Sequence, residues 1–566
     1  MEVSTAATHS TSLPTRRTST LWRVLLLSTA GIIAIPVLVI AASLVQGFSP
    51  AWDHLLDTVL RDYVVNSLLL MLGVGAGTLV LGVTSAWLTA MCEFPGRHFF
   101  NWALMLPMAI PAYIIAYTYT GMLEYSGPLQ SALRARFNWG YGDYYFPEIR
   151  SLGGAVCMLS LVLYPYVFLL ARVAFREQST AVLEASRSLG KGPWQTLFQV
   201  ALPLARPAIV AGASLALMET LADYGTVAYF GVSAFTTGIF RTWYGLGELQ
   251  TAAQLAAFLL LFVLSLFLLE HYSRRRLRFH LNAARRQPRR IALAGWRGWL
   301  ACAVALLILG AGFLLPAAQL AIWSVQRWSF TDFEAFGQLV GSSFGLAAMA
   351  SISCLLIALL LGYGKRLYPL WPEQQAARIA TMGYAVPGTV IAVGVLIPFA
   401  WLDNRVDSFM RENFAISTGL LLSGTLVALV FAYVVRFLSV SLQTVDSGLA
   451  RIRPSIDESA RSLGLRPLQV LRRIHLPMLR GSLVTALLLV FVDVLKELPT
   501  TLILRPFNFN TLAVRAHELA SDERLADAAL PALAIVVIGL LPVIFMNRLA
   551  SGGAPASATP QPETDA

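Results

Sequence analysis

Charge is scarce in this chain: Asp, Glu, Lys and Arg make up 13% of its 566 residues, about half the share of an ordinary soluble domain. A soluble protein of this length has too much surface for so few charges, which excludes a soluble enzyme and a disordered scaffold. Cysteine is sparse as well. Cys92, Cys157, Cys302 and Cys354 lie in or beside apolar segments, without the spacing of a metal site or a disulfide framework, and read as small core residues. There is no GxxxxGK(S/T) phosphate loop and no acid/base or nucleophile constellation on a polar domain. The chain is therefore not expected to hydrolyse ATP itself or to act as an enzyme. A short apolar segment with a processing site is missing at the N-terminus, so the long run after Arg23 reads as a retained span.

What the chain has instead is hydrophobicity. The strict apolar set is 57% of the residues and the 41 Gly raise it to about 64%, against about 45–50% in soluble domains. Apolar segments of about 20 residues fall near 24–45, 64–89, 101–121, 152–173, 208–230, 252–270, 299–322, 341–362, 379–400, 417–438, 481–503 and 529–549. Each is expected to be a helix, because an isolated strand leaves its backbone groups unpaired in hydrocarbon. The fold class is thus an all-α polytopic membrane protein with about twelve transmembrane helices.

The net charge of +11 suits a membrane protein that gathers Lys and Arg on its cytoplasmic side. With both termini inside, most of the 42 basic residues become cytoplasmic, among them Arg16, Arg97, Arg172, Lys365, Arg436 and Arg480, with nine Arg between Arg274 and Arg297. Dropping one span would invert everything after it. The arginine-rich stretch suits anionic membrane lipid, and topology explains it without nucleic acid.

Two polar loops repeat one another. "LEASRSLGKGPWQTLFQVALPLARPAI" begins at Leu183 and "DESARSLGLRPLQVLRRIHLPMLRGSL" at Asp457. Glu184 matches Glu458, Arg187 matches Arg461, Gly190 matches Gly464, Pro193 matches Pro467, and Pro203 matches Pro477, every pair 274 residues apart. Each loop follows four spans of its half, so the halves share one orientation, as in a parallel duplication about an axis along the membrane normal. Locally the loop reads as helix, turn, helix. A first helix starting near Thr180 or Ile456 stops at the glycine, a second starts at Pro193 or Pro467, and Pro203 or Pro477 redirects the chain before the next span. Glu184 with Arg187, and Glu458 with Arg461, stand one turn apart, placed for i,i+3 pairing or for a partner.

The same offset relates membrane carboxylates. Glu219 and Asp223 share one face of the fifth span, and Asp493 and Glu497 occupy the same offsets in the eleventh, where Lys496 is added. A buried carboxylate is costly unless paired, hydrated or neutralised, so these groups are expected to line an internal interface or hydrated vestibule. Substrate contact, gating and helix packing all remain open roles for them. Tyr224 and Tyr229 carry phenols that suit a hard metal cation, and an interfacial aromatic belt explains them as well. His271, His280, His475 and His517 show no convergent spacing, so no stable metal site is assigned. Pro107, Pro111 and Pro387 are expected to bend the third and ninth spans.

With its loops Glu184-Ala185-Ser186, Gly190, Leu202-Pro203 and Glu458-Ser459-Ala460, Gly464, Leu476-Pro477, the sequence resembles the membrane permease family of ATP-binding-cassette importers. The fused twelve-span form, with "ETLADYGTVAYFG" at Glu219 to Gly231 and "VDVLKELPTTLILRPFNFNTLA" at Val492 to Ala513, looks most like the ferric-iron importer permeases of Gram-negative bacteria. The resemblance implies coupling helices at Glu184, Arg187, Gly190 and Pro203 and at Glu458, Arg461, Gly464 and Pro477 that enter grooves of two cytoplasmic ATPase subunits. It implies ATP and Mg on those subunits and no cofactor on this chain. It also implies a periplasmic ferric-iron-binding protein as partner and residence in the bacterial inner membrane. A path or gate would then involve Glu219, Asp223, Tyr224, Asp493, Lys496 and Glu497.

The expected organisation is a cytoplasmic segment 1–22, a first repeat 23–272 with its loop at 180–206, and a basic linker 273–298. A second repeat 299–549 with its loop at 454–480 and an Ala/Pro/Ser-rich, disordered tail 550–566 follow. Permeases for thiamine and other small solutes share the loop. A proton- or sodium-coupled secondary transporter would use the carboxylates but leave the paired loops unexplained.

Overall fold

The computed structural model describes residues 16–140, 142–178, 184–186, 188–275, 290–368 and 370–551. Among them, ten helices are long and apolar enough to cross a bilayer, and two bent helix pairs bring the count to twelve. The only strands among the described residues are Cys92–Glu93 and Ile291–Ala292, paired in parallel. That short pairing ties the end of the basic linker to the turn after the second span. Residues 276–289 of the linker and the tail from 552 lie outside the described residues. The N-terminal segment expected up to residue 22 is already helical from Arg16.

Proline sets the breaks. In the third span Arg97–Ala109 and Ala112–Phe137 meet at 92°. Pro111 lacks the N–H that would continue the ladder and forces Ile110 into an extended conformation, φ −101° and ψ 120°. Pro387 acts likewise: Val386 before it is extended, and a new helix, Gly388–Phe414, starts directly after it. These prolines thus mark helix boundaries rather than bends inside continuous spans.

The fifth and eleventh spans end earlier than their hydrophobicity suggests, at Ala222 and Leu495. The chain turns there and continues as short helices, Gly225–Tyr229 and Pro499–Leu504. A hydrophobicity window cannot see this turn, because the residues on both sides are equally apolar.

Packing relies on small residues. Leu60–Met91 lies along Leu152–Glu177 so closely that a Cβ on Gly82 would stand 2.9 Å from the Tyr164 carbonyl oxygen and 2.6 Å from the Val167 Cβ. The two sequence halves interlock. The first span, Arg16–Ser43, packs on Gly388–Phe414 and Trp371–Thr381 of the second half, where Arg23 Nε meets the buried Glu373 carboxylate at 2.5 Å. In return, Trp296–Phe330 of the second half packs on the first, and the Tyr119 hydroxyl donates to the Ala311 carbonyl at 2.6 Å. One apolar core accordingly joins residues 70–234 to parts of 301–320 and 498–543, and the other joins parts of 26–63 and 221–263 to 346–504. Of the four cysteines read as core residues, Cys92 and Cys354 are buried, whereas Cys157 is exposed on an apolar helix and Cys302 is partly exposed.

Candidate functional site

Where the two halves meet, a cavity of about 140 Å³ lies between the ends of the fifth and eleventh spans, ample for several waters. All six residues expected to form a path or gate line it: Glu219, Asp223, Tyr224, Asp493, Lys496 and Glu497. Their roles differ. The Asp223 carboxylate accepts from the Thr226 N–H at 3.0 Å, the Thr226 hydroxyl at 3.1 Å and the Val227 N–H at 3.2 Å. It thereby caps the short helix that follows. Glu497 repeats this geometry, accepting from the Thr500 N–H at 3.2 Å and the Thr500 hydroxyl at 2.7 Å. Asp493 pairs at 2.8 Å with Lys496, the residue that closes its own helix. For Glu219 no ion-pair partner within 4 Å is seen among the described residues. Tyr224 packs its ring on Phe240 and His517, with centroids 4.8 and 6.2 Å apart.

Four further polar residues line it as well: Arg436, Tyr113, Tyr166 and Tyr384. Charge counting puts Arg436 among the cytoplasmic arginines, and the structure corrects this. Arg436 is buried midway along Leu426–Ala450 and pairs with Glu497 at 3.2 Å, both side chains at most 10% exposed. A guanidinium inside an apolar run is itself a signal of a functional position, and its counterpart 274 residues earlier is Val162. The tyrosines carry no comparable signal. Close approach at the pair requires glycine: a Cβ on Gly388 would stand 2.1 Å from Arg436 Nη1 and 2.6 Å from Glu497 Oε1.

At the far end of the bundle the two repeated loops show matching hydrogen bonds. Gly190 and Gly464 both have φ +79°, a conformation that glycine adopts without strain and that ends a helix. The Lys191 N–H reaches the Ser186 carbonyl at 3.2 Å, as the Leu465 N–H reaches Ala460 at 3.1 Å. The Gly192 N–H donates to Gln195 Oε1, as the Arg466 N–H donates to Gln469 Oε1. Helices then begin at Pro193 and Pro467. Pro203 and Pro477 each follow a five-residue π-helical stretch, Leu197–Ala201 and Leu471–His475. A proline that cannot donate, and whose ring crowds the preceding turn, favours such a widened turn. Pro203 stays within the continuous span Trp194–Ala222 and does not redirect it, while the second copy bends by 78° between Met478 and Arg480.

Of the two roles open to Glu458 and Arg461, pairing with each other or reaching a partner, the pair is not formed. Arg461 Nε donates instead to the Asp457 carbonyl at 3.3 Å, and the exposed Glu458 has no ion-pair partner among the described residues. Glu184 is exposed too, and Arg187 and Thr180 lie outside the described residues. Beneath the second loop the buried Asp457 holds Arg366 at 2.7 Å and His475 at 2.6 Å. The position matching His475 in the first repeat is Ala201.

A duplicated, interlocked helical bundle with a charged chamber on the interface of its halves and paired surface loops at one end defines a membrane transport permease. The chain belongs to the family described as the binding-protein-dependent transport system inner membrane component, whose model matches residues 11–279 and 354–552. It is 25% identical over 545 residues to the Fe(3+)-transport system permease protein FbpB 2 of Haemophilus influenzae, covering 94% of this chain and 98% of that one. It is also 25% identical over 515 residues to the ABC transporter permease protein y4fN of Sinorhizobium fredii, covering 85% and 87%. The molybdenum transport system permease protein ModB of Escherichia coli is 28% identical over 181 residues, 32% of this chain and 72% of that one.

Proposed function

We propose that this chain is the permease subunit of an ATP-driven importer that moves ferric iron across the bacterial inner membrane, with both termini cytoplasmic. The observation that carries the reading is the chamber lining, four carboxylates and four phenols beside Arg436 and Lys496, with no thiol or imidazole among the described residues, because hard oxygen donors suit a hard cation. The end-to-end similarity to a permease named for Fe(3+) supports the same reading.

Energy enters at the loops. Each presents exposed apolar side chains at its tip, Leu189 and Trp194 in one, Leu463 and Leu468 in the other. Burying a leucine of this kind in a partner groove stabilises the contact by about 1.5–3 kcal/mol, which fits docking to two ATPase subunits carrying ATP and Mg. ATP-driven closure then shifts the halves only as far as the two conformations differ in stability with ATP bound. A periplasmic iron-binding protein delivers cargo on the other side.

The test is uptake into proteoliposomes holding the permease, its ATPase and a panel of loaded binding proteins. ATP-dependent iron accumulation is expected. Accumulation of molybdate or thiamine instead of iron would reassign the substrate, and uptake driven by a proton gradient without ATP would reassign the class to an ion-coupled transporter.

A further inference from the structure

The four chamber carboxylates are not equivalent. Asp223 and Glu497 are committed to capping short helices, Glu497 also to Arg436. That leaves Glu219, which has no ion-pair partner within 4 Å among the described residues but has Arg436 and Lys496 within electrostatic reach, and Asp493, whose partner is the Lys496 ammonium at 2.8 Å. The phenols of Tyr166 and Tyr384 lie within electrostatic reach of both of these acids and of each other. A second kind of observation points to the same space. Tyr113, 5% exposed, also lines the chamber; its hydroxyl, itself buried, has no hydrogen-bond partner among the described residues and lies within reach of Glu497. Buried hydroxyls are normally satisfied, and among the described residues that line the chamber Tyr113 alone carries an unpartnered buried one.

We propose that Glu219 and Asp493, with the phenols of Tyr166 and Tyr384, form a transit station for a hard trivalent metal cation, and that Lys496 occupies the Asp493 side as a built-in stand-in until the cation arrives. The position equivalent to Lys496 in the first half is Ala222, so the ammonium faces the station from one side only. With all groups ionised, the four carboxylates outweigh Arg436 and Lys496, and the chamber attracts cations and repels oxyanions such as molybdate. Among the described residues no group of three or more His, Cys, Asp or Glu converges. The station therefore leaves part of the coordination to water and holds its cargo weakly enough to release it, as conduction requires. Transit is ligand exchange: Lys496 Nζ leaves Asp493 as the cation enters and returns as it departs, with no covalent bond and no electron transferred.

This inference rests on the ferric-iron reading above. The test uses the full-length chain in lipid nanodiscs with Tb³⁺ as probe, since tyrosine beside bound Tb³⁺ sensitises its luminescence. Ga³⁺, a redox-inert trivalent competitor, is expected to quench the signal and molybdate to leave it unchanged. Glu219→Gln is expected to weaken Tb³⁺ binding about tenfold or more, with Glu219→Asp restoring part of it. Lys496→Met, which removes the internal competitor, is expected to tighten binding. Undiminished binding in Glu219→Gln overturns the station, and so does unchanged or weaker binding in a monodisperse Lys496→Met protein. If the intact transporter imports iron while these variants bind Tb³⁺ as the parent does, the station alone fails. If it imports an oxyanion and no iron, the substrate reading fails with it.

Discussion

Asp223 and Glu497, 274 positions apart, hold the same backbone feature: each carboxylate accepts from both the N–H and the hydroxyl of the threonine three residues later, Thr226 and Thr500. The duplication thus preserves a capped turn at the end of each of these two chamber-lining helices. A partial negative charge at a helix N-terminus is stabilising in its own right.

Capping makes a specific demand at Asp223. Asparagine keeps a cap acceptor and alanine does not, so Asp223→Asn is expected to keep most uptake, while Asp223→Ala loses about 1 kcal/mol of stability and uptake with it. Thermal unfolding in detergent, read beside iron uptake, checks this. Equal loss in both variants would show that the charge itself, and not the cap, is what transport needs.

Glu497 carries an added burden. Glu497→Gln leaves the Arg436 guanidinium without its carboxylate in a site at most 10% exposed, and removing one member of a buried pair costs about 3–5 kcal/mol. The double variant Arg436→Met with Glu497→Gln is expected to recover much of that loss. A double-mutant cycle with no coupling between the two positions would contradict the pairing.

The loop tips call for a binding measurement. Leu189→Glu and Leu463→Glu each remove an apolar anchor worth about 1.5–3 kcal/mol, so the ATPase is expected to co-purify about tenfold less or worse. Cysteine at Arg461 should crosslink to the ATPase, and labelling of that position from the periplasm would reverse the topology. Because Glu458 is exposed and has no ion-pair partner among the described residues, Glu458→Ala should leave the fold intact and weaken only assembly or coupling.

The two loops should differ in rigidity. Arg366, Asp457 and His475 fasten the second to the bundle, and the Tyr363 hydroxyl adds a 2.7 Å bond to the Pro467 carbonyl. In the first loop the position of His475 is Ala201, and the contacts seen beneath it among the described residues are neutral, the Ser186–Thr196 pair at 3.1 Å and Gln178 Nε2 donating to the Ala201 carbonyl at 2.7 Å. Amide exchange is expected to be slower over 454–470 than over 184–196, and Asp457→Asn should narrow the gap. Equal protection in the parent protein would remove any mechanical meaning from the asymmetry.

Much of this architecture is written in the sequence as pattern. Scarce charge and twenty-residue apolar runs impose membrane helices, because no other backbone arrangement short of a closed barrel satisfies itself in hydrocarbon. The 274-residue offset pairs Glu219 with Asp493 and Gly190 with Gly464 before any coordinates are known, since polar and positive-φ positions are conspicuous against an apolar background. What the pattern leaves open is set by contacts distant along the chain. Arg436 reads as a topological charge until the fold brings it to Glu497. Tyr166 and Tyr384 are ordinary aromatic residues of two spans until the halves close over one cavity. The exchange of the first spans between halves depends on matched surfaces such as Arg23 against Glu373, and a linear sequence does not state which apolar face meets which. Local periodicity and composition specify the helices and their repeat. The tertiary packing alone decides which acids are caps, which one is paired with lysine and which is left on the cavity wall without a close ion pair, because each role is defined by a neighbour contributed by the fold.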